Sequence, residues 1–208
     1  MGTKYNPASK RTDNVQYFGG LVKKSIHVIR DPFSNIVSRF LKHFKRQYIE
    51  AASPLSKVLT YNINNDKAGF QEYCRRLDEH FYKHEHDMFP HIMSNSTLIK
   101  NVPCRSEFYK FMQWHNLAFV ATREIHPMPV MVLHYEDYCE DINVVLDDVL
   151  EFIELGKKES YNIRQAHCHY HDSFFDVEQL IALQEFMRFL GSEELLTYLE
   201  RYFRFKDS

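Results

Sequence analysis

The chain has 208 residues, of which 44% are hydrophobic and 26% charged, and its formal net charge is −2. This length and composition predict one soluble globular domain with a sizeable core. No stretch approaches the roughly eighteen apolar residues of a membrane span. Residues 1–14 lack the apolar segment of a secretion signal.

Charge is distributed unevenly along the chain. Residues 1–46 carry ten Lys and Arg against two Asp, a net charge of +8, which leaves −10 for the remaining residues. A basic segment is often only a solvated surface, but it also favours a phosphorylated ligand. Because no recognition-module signature accompanies the charge, we expect no nucleic-acid partner.

The first predicted elements are a strand and a helix joined by a tight turn. The β-branched segment 26–29 predicts a buried strand that stops at Arg30. Asp31 suits a helix N-cap and Pro32 the first helical position. Helical spacing then relates six apolar residues: Phe33, Ile36, Val37, Phe40, Leu41 and Phe44. Anions bind where strands end and helices begin, so Arg30 and Ser38 are candidate ligands of an anion.

Further elements follow in an α/β order. Apolar periodicity predicts helices at residues 68–86, about 106–124 and 142–155, and a second buried strand at 130–133. Residues 177–203 predict two helices that are separated near Gly191. Helices between strands predict that the two strands are parallel. Trp114 and His115 are expected to pack against the sheet from the second of these helices.

Cysteine and histidine patterns indicate no metal site. The four cysteines form no C-x-x-C pair, so we interpret them as buried or free thiols: Cys74, Cys104, Cys139 and Cys168. Two segments cluster histidines and aspartates without matching a known ligand set. These residues are His80, His84, His86, Asp87, His91, His167, His169, His171 and Asp172. We expect them to lie on exposed loops or helix faces.

Three segments in order carry a family resemblance: "VIRDPFSNIVSRF", "VMVLHYEDY" and "VLDDVLEFIEL". They resemble the sulfotransferase domain that uses 3′-phosphoadenosine 5′-phosphosulfate. The resemblance implies a P-loop-containing nucleoside triphosphate hydrolase-like fold, a three-layer α/β/α sandwich. It would make residues 1–208 one sulfotransferase-like domain, with residues 45–105 as a helical insertion.

The resemblance also implies roles for particular residues. Arg30 and Ser38 would bind the 3′-phosphate of the cofactor, and Tyr135 would lie near the adenine. No metal is required. A guanidinium at a strand end offers a planar fork of donors for a phosphate, which agrees with the role of Arg30.

Two motifs of that family are not recognisable near the amino terminus. Residues 1–29 contain no P-K-[ST]-G-[ST]-[ST] loop for the phosphosulfate. The family's K-T-H-x-P block, whose His acts as the base, has its nearest match in residues 3–7, where Tyr5 takes the His position. A phenol with an ordinary pKa is a poor base at neutral pH. A sequence that is incomplete at the amino terminus would explain both departures.

The sequence thus predicts a sulfotransferase that transfers a sulfuryl group to a hydroxyl acceptor on a carbohydrate or a small molecule. The alternative is a non-catalytic nucleotide-binding or interaction domain that keeps the 3′-phosphate half of the site. A nucleotide kinase is disfavoured, because no G-x-x-x-x-G-K-[ST] motif is present. The cytoplasm and the Golgi lumen both stay open as compartments.

Overall fold

The computed structural model describes residues 22–46, 54–88, 90–93, 96–99, 101–156 and 172–204. These parts form a mixed α/β fold that is mostly helical and contains a small parallel sheet of two strands. The finer prediction, a P-loop-type three-layer sandwich, stays a prediction. Within the described parts, no helix is both long enough and apolar enough to span a membrane.

The sheet pairs the two predicted strands in parallel. Strand β1 is Ser25–Ile29 and strand β2 is Val130–His134. Ser25 lies opposite Val130, and Ile29 lies opposite His134. Parallel neighbours need a crossover connection, and the described part of this connection is helical. The prediction of two parallel strands is therefore confirmed, but the prediction that the first strand is buried was wrong, because Ile26 and Val28 on one face of β1 are exposed.

The longer described helices agree closely with the predicted ones, whereas most of the shorter ones were not predicted. The longer helices are α1 (Pro32–Arg46), α3 (Lys67–Met88), α6 (Arg105–Val120), α8 (Ile142–Phe152) and α9 (Val177–Leu190). The shorter helices are α2 (Pro54–Thr60), α4 (Pro90–Met93), α5 (Ser96–Ile99), α7 (Asp137–Glu140) and α10 (Glu193–Leu199). A π-helical turn, Ala121–Ile125, extends α6, and a 3₁₀ turn, Glu200–Tyr202, follows α10.

The start of α1 is fixed by Asp31. Its Oδ1 accepts hydrogen bonds from the backbone N–H groups of Phe33 at 2.8 Å and Ser34 at 3.3 Å. A carboxylate at this position satisfies backbone donors that have no partner inside the helix. The predicted N-cap, with Pro32 as first helical residue, is confirmed. The turn between β1 and α1 is therefore short and well determined.

An aromatic core connects α1, α3 and α6. Phe33 and Phe40 of α1, Phe70 of α3 and Phe108 of α6 are almost completely buried. The ring centroids of Phe40 and Phe70 are 5.5 Å apart. Burying each such side chain stabilises the fold by about 1.5–3 kcal/mol. The described helices of residues 45–105 thus contribute to the same core as α1 and α6.

The interpretation of the cysteines as thiols was wrong. Cys74 in α3 is disulfide-bonded to Cys104, which directly precedes α6, and Cys139 is also disulfide-bonded. Cys168 lies outside the described residues. Cys74 and Cys104 are 30 positions apart in the chain, and only the packing of α3 against α6 brings them together. The Cys74–Cys104 bond ties the start of α6 to the core.

Candidate functional site

Arg30 and Tyr135 lie side by side at the carboxyl ends of the two strands. Each residue directly follows its strand, and the register pairs Ile29 with His134. The backbone N–H of Tyr135 donates to the carbonyl of Ile29 at 2.8 Å, which continues the pairing by one residue. The guanidinium carbon of Arg30 lies 4.8 Å from the centre of the Tyr135 ring. This is a cation–π contact at the end of the sheet.

Ser38 joins the same group from α1. Nη2 of Arg30 donates a hydrogen bond of 2.9 Å to the hydroxyl oxygen of Ser38. Nε of Arg30 is buried and has no hydrogen-bond partner among the described residues. The structure thus brings together Arg30, Ser38 and Tyr135, the three residues that the sequence predicts for the cofactor site.

The neighbouring carboxylates are engaged elsewhere. An ion pair with Asp31 or Glu136 would neutralise Arg30 and make its role purely structural. Asp31 caps α1 and lies 3.4 Å from a guanidinium nitrogen of Arg204. Glu136 is buried, and its Oε1 accepts a hydrogen bond of 3.0 Å from the backbone N–H of Asp31. Within the described parts, Arg30 therefore makes no ion pair with either carboxylate.

Glu136 also connects this turn to the carboxyl-terminal part of the structure. The hydroxyl of Tyr202 donates to Oε2 of Glu136 and lies 2.8 Å from Nδ1 of His134. Burial, together with the bond to Glu136, raises the pKa of Tyr202 well above its usual value, so the phenol stays protonated. Glu136 lies in the turn that follows β2, and its bond to Asp31 also holds the turn between β1 and α1 in place. The sequence gives no signal for Tyr202, because nothing in its local pattern links it to β2.

An open cleft of about 380 Å³ lies beside Arg30, between β1, α1 and α6. Its lining is rich in cationic, polar and aromatic side chains. The residues that matter for its chemistry are Arg30, Asn35, Arg39, Lys110, Trp114 and His115. Because Arg30 lines the cleft, the cleft adjoins the group formed by Arg30, Ser38 and Tyr135. Sequence periodicity could not predict it, because α1 and α6 meet only in the folded chain.

One buried carboxylate positions two cations of the cleft. Nε of Arg39 lies 2.8 Å from Oε2 of Glu107, and Nζ of Lys110 lies 3.2 Å from Oε1. Lys110 also lies over the ring of Phe81 at 4.0 Å. Arg30, Arg39 and Lys110 all line the cleft, whereas no carboxylate is among its described lining residues and Glu107 pairs with two of the cations, so the cleft has a net positive charge.

Trp114 and His115 differ in exposure. The indole of Trp114 is 72% exposed, so the prediction that it packs against the sheet was wrong. His115 is buried, and its ring lies against Phe111 with the centroids 4.5 Å apart. Burial, and to a smaller extent the neighbouring His27, lowers the pKa of His115 to about 4. The imidazole is therefore neutral at pH 7, and Arg and Lys supply the positive charge of the cleft.

Several predicted features lie outside the described residues. Tyr5 and the residues 3–7 around it belong to this part of the chain, as do His167, His169 and His171. The side chains of His84, His86, Asp87, His91 and Asp172 are likewise not described. The described His80 is exposed and packs edge-on to Phe81. In the described parts of the chain, no three His, Cys, Asp or Glu side chains are grouped as metal ligands would be.

Comparisons of the chain with protein-family models, with curated proteins and with solved structures found no match. The geometry of the site and the resemblance carried by the sequence motifs are therefore the basis for proposing a function.

Proposed function

We propose that the chain is a sulfotransferase-type domain that binds 3′-phosphoadenosine 5′-phosphosulfate and transfers its sulfuryl group to a hydroxyl acceptor. The observation that carries the proposal is the meeting of Arg30, Ser38 and Tyr135 at the carboxyl ends of two parallel strands. Arg30 and Ser38 come from one motif of the chain and Tyr135 from another, and the pairing of β1 with β2 brings them to one point. Strand ends of this kind are common positions for nucleotide sites.

The chemistry of the group suits a phosphate. The unpartnered Nε of Arg30 and its Nη groups can donate to two oxygens of one phosphate, and the Ser38 hydroxyl adds a further donor. Tyr135 stacks on the guanidinium and restricts its orientation. Asp31 and Glu136, each bonded to other groups, do not neutralise Arg30 through an ion pair within the described residues. The guanidinium is therefore preorganised for an anionic ligand.

The disulfides favour one of the two compartments that the sequence leaves open. Disulfide bonds persist in oxidising compartments and are rare in the cytosol. Cys74, Cys104 and Cys139 are all disulfide-bonded. We therefore place the protein, as part of the proposal, in the Golgi lumen rather than the cytoplasm.

The second candidate function is nucleotide binding without catalysis. It is favoured by residues 1–29, which contain no P-K-[ST]-G-[ST]-[ST] motif to hold the phosphosulfate. Backbone donors and a Lys in such a loop stabilise charge on the transferred group, and loss of a single donor costs about a hundred- to a thousand-fold in rate. A transfer assay with radiolabelled 3′-phosphoadenosine 5′-phosphosulfate separates the two functions, because only the enzyme labels an acceptor.

Nucleotide discrimination tests both candidates. Calorimetric titrations should give tighter binding of 3′-phosphoadenosine 5′-phosphate than of adenosine 5′-phosphate, by about a hundred-fold for one charge-assisted bidentate contact. The two nucleotides differ only in the 3′-phosphate. Equal affinities, or no binding of either nucleotide by the folded protein, would refute the 3′-phosphate site.

A further inference from the structure

We propose that the cleft between β1, α1 and α6 binds an acidic saccharide as the acceptor, through stacking on Trp114 and ionic contacts to Arg39 and Lys110. The inference rests on the proposed function, because it names the acceptor class for the same site. Arg30 lines the cleft together with these residues, so an acceptor bound there lies next to the proposed phosphate site.

Trp114 supplies the apolar surface for a sugar ring. It is the only tryptophan of the chain, and its indole is 72% exposed at the cleft. Large exposed apolar side chains beside a groove are typical of ligand sites, and a flat aromatic ring can pack against the C–H face of a pyranose.

Arg39 and Lys110 supply the ionic contacts. Their side chains are 46% and 44% exposed, although each is paired with Glu107, whose side chain is 5% exposed. The shared carboxylate fixes both cations without neutralising both. Arg39 contacts Glu107 through Nε, so its Nη groups are available to a ligand carboxylate, and the ammonium of Lys110 has further N–H donors.

The openness of the cleft and its constant charge favour a saccharide over a small phenol. A small apolar acceptor normally enters an enclosed pocket lined mainly by hydrophobic groups. This cleft is open and combines one exposed indole with three cations. Such a lining suits an acidic saccharide, in which the apolar faces of the sugar rings alternate with carboxylates. His115 remains neutral above about pH 5, so the charge of the cleft is stable near pH 7.

The fluorescence of Trp114 reports directly on the cleft. The probes are a hyaluronan hexasaccharide, which carries uronic acid carboxylates, and chitohexaose, which is neutral. We expect saturable quenching or a blue shift with hyaluronan, and at least about tenfold weaker binding of chitohexaose because the ionic contacts are lost. Affinity for hyaluronan should also fall with added salt. Equal responses to both saccharides, or no response, would overturn the proposal.

Matched lysine variants locate the binding. Lys110→Met removes one cleft cation and should weaken hyaluronan binding about tenfold. Lys67→Met is the control, because Lys67 is also partly exposed and paired with a carboxylate, that of Asp176, but does not line the cleft. The control should bind as the wild type does. Equal losses in the two variants would contradict a site in the cleft.

Titration with 3′-phosphoadenosine 5′-phosphate separates the two proposals. Nucleotide binding that survives Lys110→Met, together with the expected saccharide binding, supports both. Nucleotide binding without any saccharide response overturns the acceptor site and leaves the proposed function standing. Saccharide binding without nucleotide binding overturns the acceptor role and the proposed function together. Nucleotide binding that quenches Trp114 and requires Lys110, with no saccharide response, would assign the cleft to the nucleotide.

Discussion

The guanidinium of Arg30 lies 4.8 Å from the centre of the Tyr135 ring, although the helical crossover separates the two residues in the chain. The contact follows from the parallel register, which aligns Ile29 with His134 and therefore the residues that come next. Arg30 and Tyr135, which belong to the two most specific motifs of the sequence, thus lie together at the ends of the strands. The site depends on the pairing of the strands as much as on its own side chains.

The first prediction concerns the ring of Tyr135. Tyr135→Ala removes the cation–π contact and frees the Arg30 guanidinium, so binding of 3′-phosphoadenosine 5′-phosphate should weaken by about 0.5–2 kcal/mol. Tyr135→Phe keeps the ring and should bind nearly as the wild type does. Calorimetric titration of both variants makes the comparison. An equal loss in the two variants would show that the hydroxyl, and not the ring, matters.

The second prediction concerns the link between Glu136 and Tyr202. Glu136→Ala leaves the buried N–H of Asp31 and the hydroxyl of Tyr202 without their acceptor, which should lower the free energy of unfolding by about 2–4 kcal/mol. Tyr202→Phe should cost about 1 kcal/mol, because only one hydroxyl is lost. Urea denaturation measures both.

Tyr198→Phe is the matched control for the tyrosine variant. Tyr198 contacts Phe119 by ring stacking, with the centroids 5.6 Å apart, and a phenylalanine keeps that contact. Its stability should be close to that of the wild type. A larger loss from Tyr198→Phe than from Tyr202→Phe would contradict the assigned role of Tyr202.

The third prediction concerns the disulfide that ties α3 to α6. Replacing Cys74 and Cys104 together by Ser should destabilise the protein by about 3–4 kcal/mol, since the bond closes a loop of about 30 residues in the unfolded chain. Denaturation of the double variant and the wild type gives the difference. A non-reducing peptide map should contain the cross-linked peptide. Alkylation of both thiols in the native, unreduced protein would contradict the bond.

The fourth prediction concerns pH. Burial lowers the folded-state pKa of His115 to about 4, whereas the unfolded value is near 6.5, so the unfolded state binds the proton more readily. The free energy of unfolding therefore has its full value above pH 6.5, where His115 is neutral in both states, and it decreases as the pH falls from 6.5 towards 4. Between pH 7 and pH 5 the expected loss from His115 is about 2 kcal/mol. Thermal unfolding at several pH values measures it.

His115→Phe keeps an aromatic ring against Phe111 and removes the titrating group. Its stability should therefore fall less steeply with decreasing pH than that of the wild type. The pKa values of His27, His43 and His134 are also lowered, mainly by burial, so part of the dependence should remain. An unchanged pH slope in His115→Phe would rule out the buried neutral imidazole.

Local features of the fold could be predicted because their causes are local. The β-branched run before Arg30 predicts β1, and the Asp31-Pro32 pair predicts the first residues of α1. Arg30, Ser38 and Tyr135 could be named because each belongs to a recognisable motif. Their meeting follows from parallel pairing, which the order of elements predicts.

Features that depend on packing between distant segments could not be predicted. Cys74 and Cys104 show no spacing motif, and their bond depends on how α3 packs against α6. Trp114 occupies a helical position typical of a buried residue, yet no described neighbour covers its indole, which is 72% exposed. Tyr202 reaches Glu136 only through the fold of the carboxyl-terminal helices. No local periodicity encodes these contacts.

The proposed phosphate site depends on Arg30, and its most direct test is calorimetric titration of 3′-phosphoadenosine 5′-phosphate into the wild type and Arg30→Ala. The control is Arg188→Ala, because Arg188 also stacks on an aromatic ring, that of Phe203, but does not line the cleft. Arg30→Ala should lose about 2–4 kcal/mol of binding free energy, and Arg188→Ala should lose none. Wild-type affinity in a folded Arg30→Ala variant would contradict the proposed phosphate site.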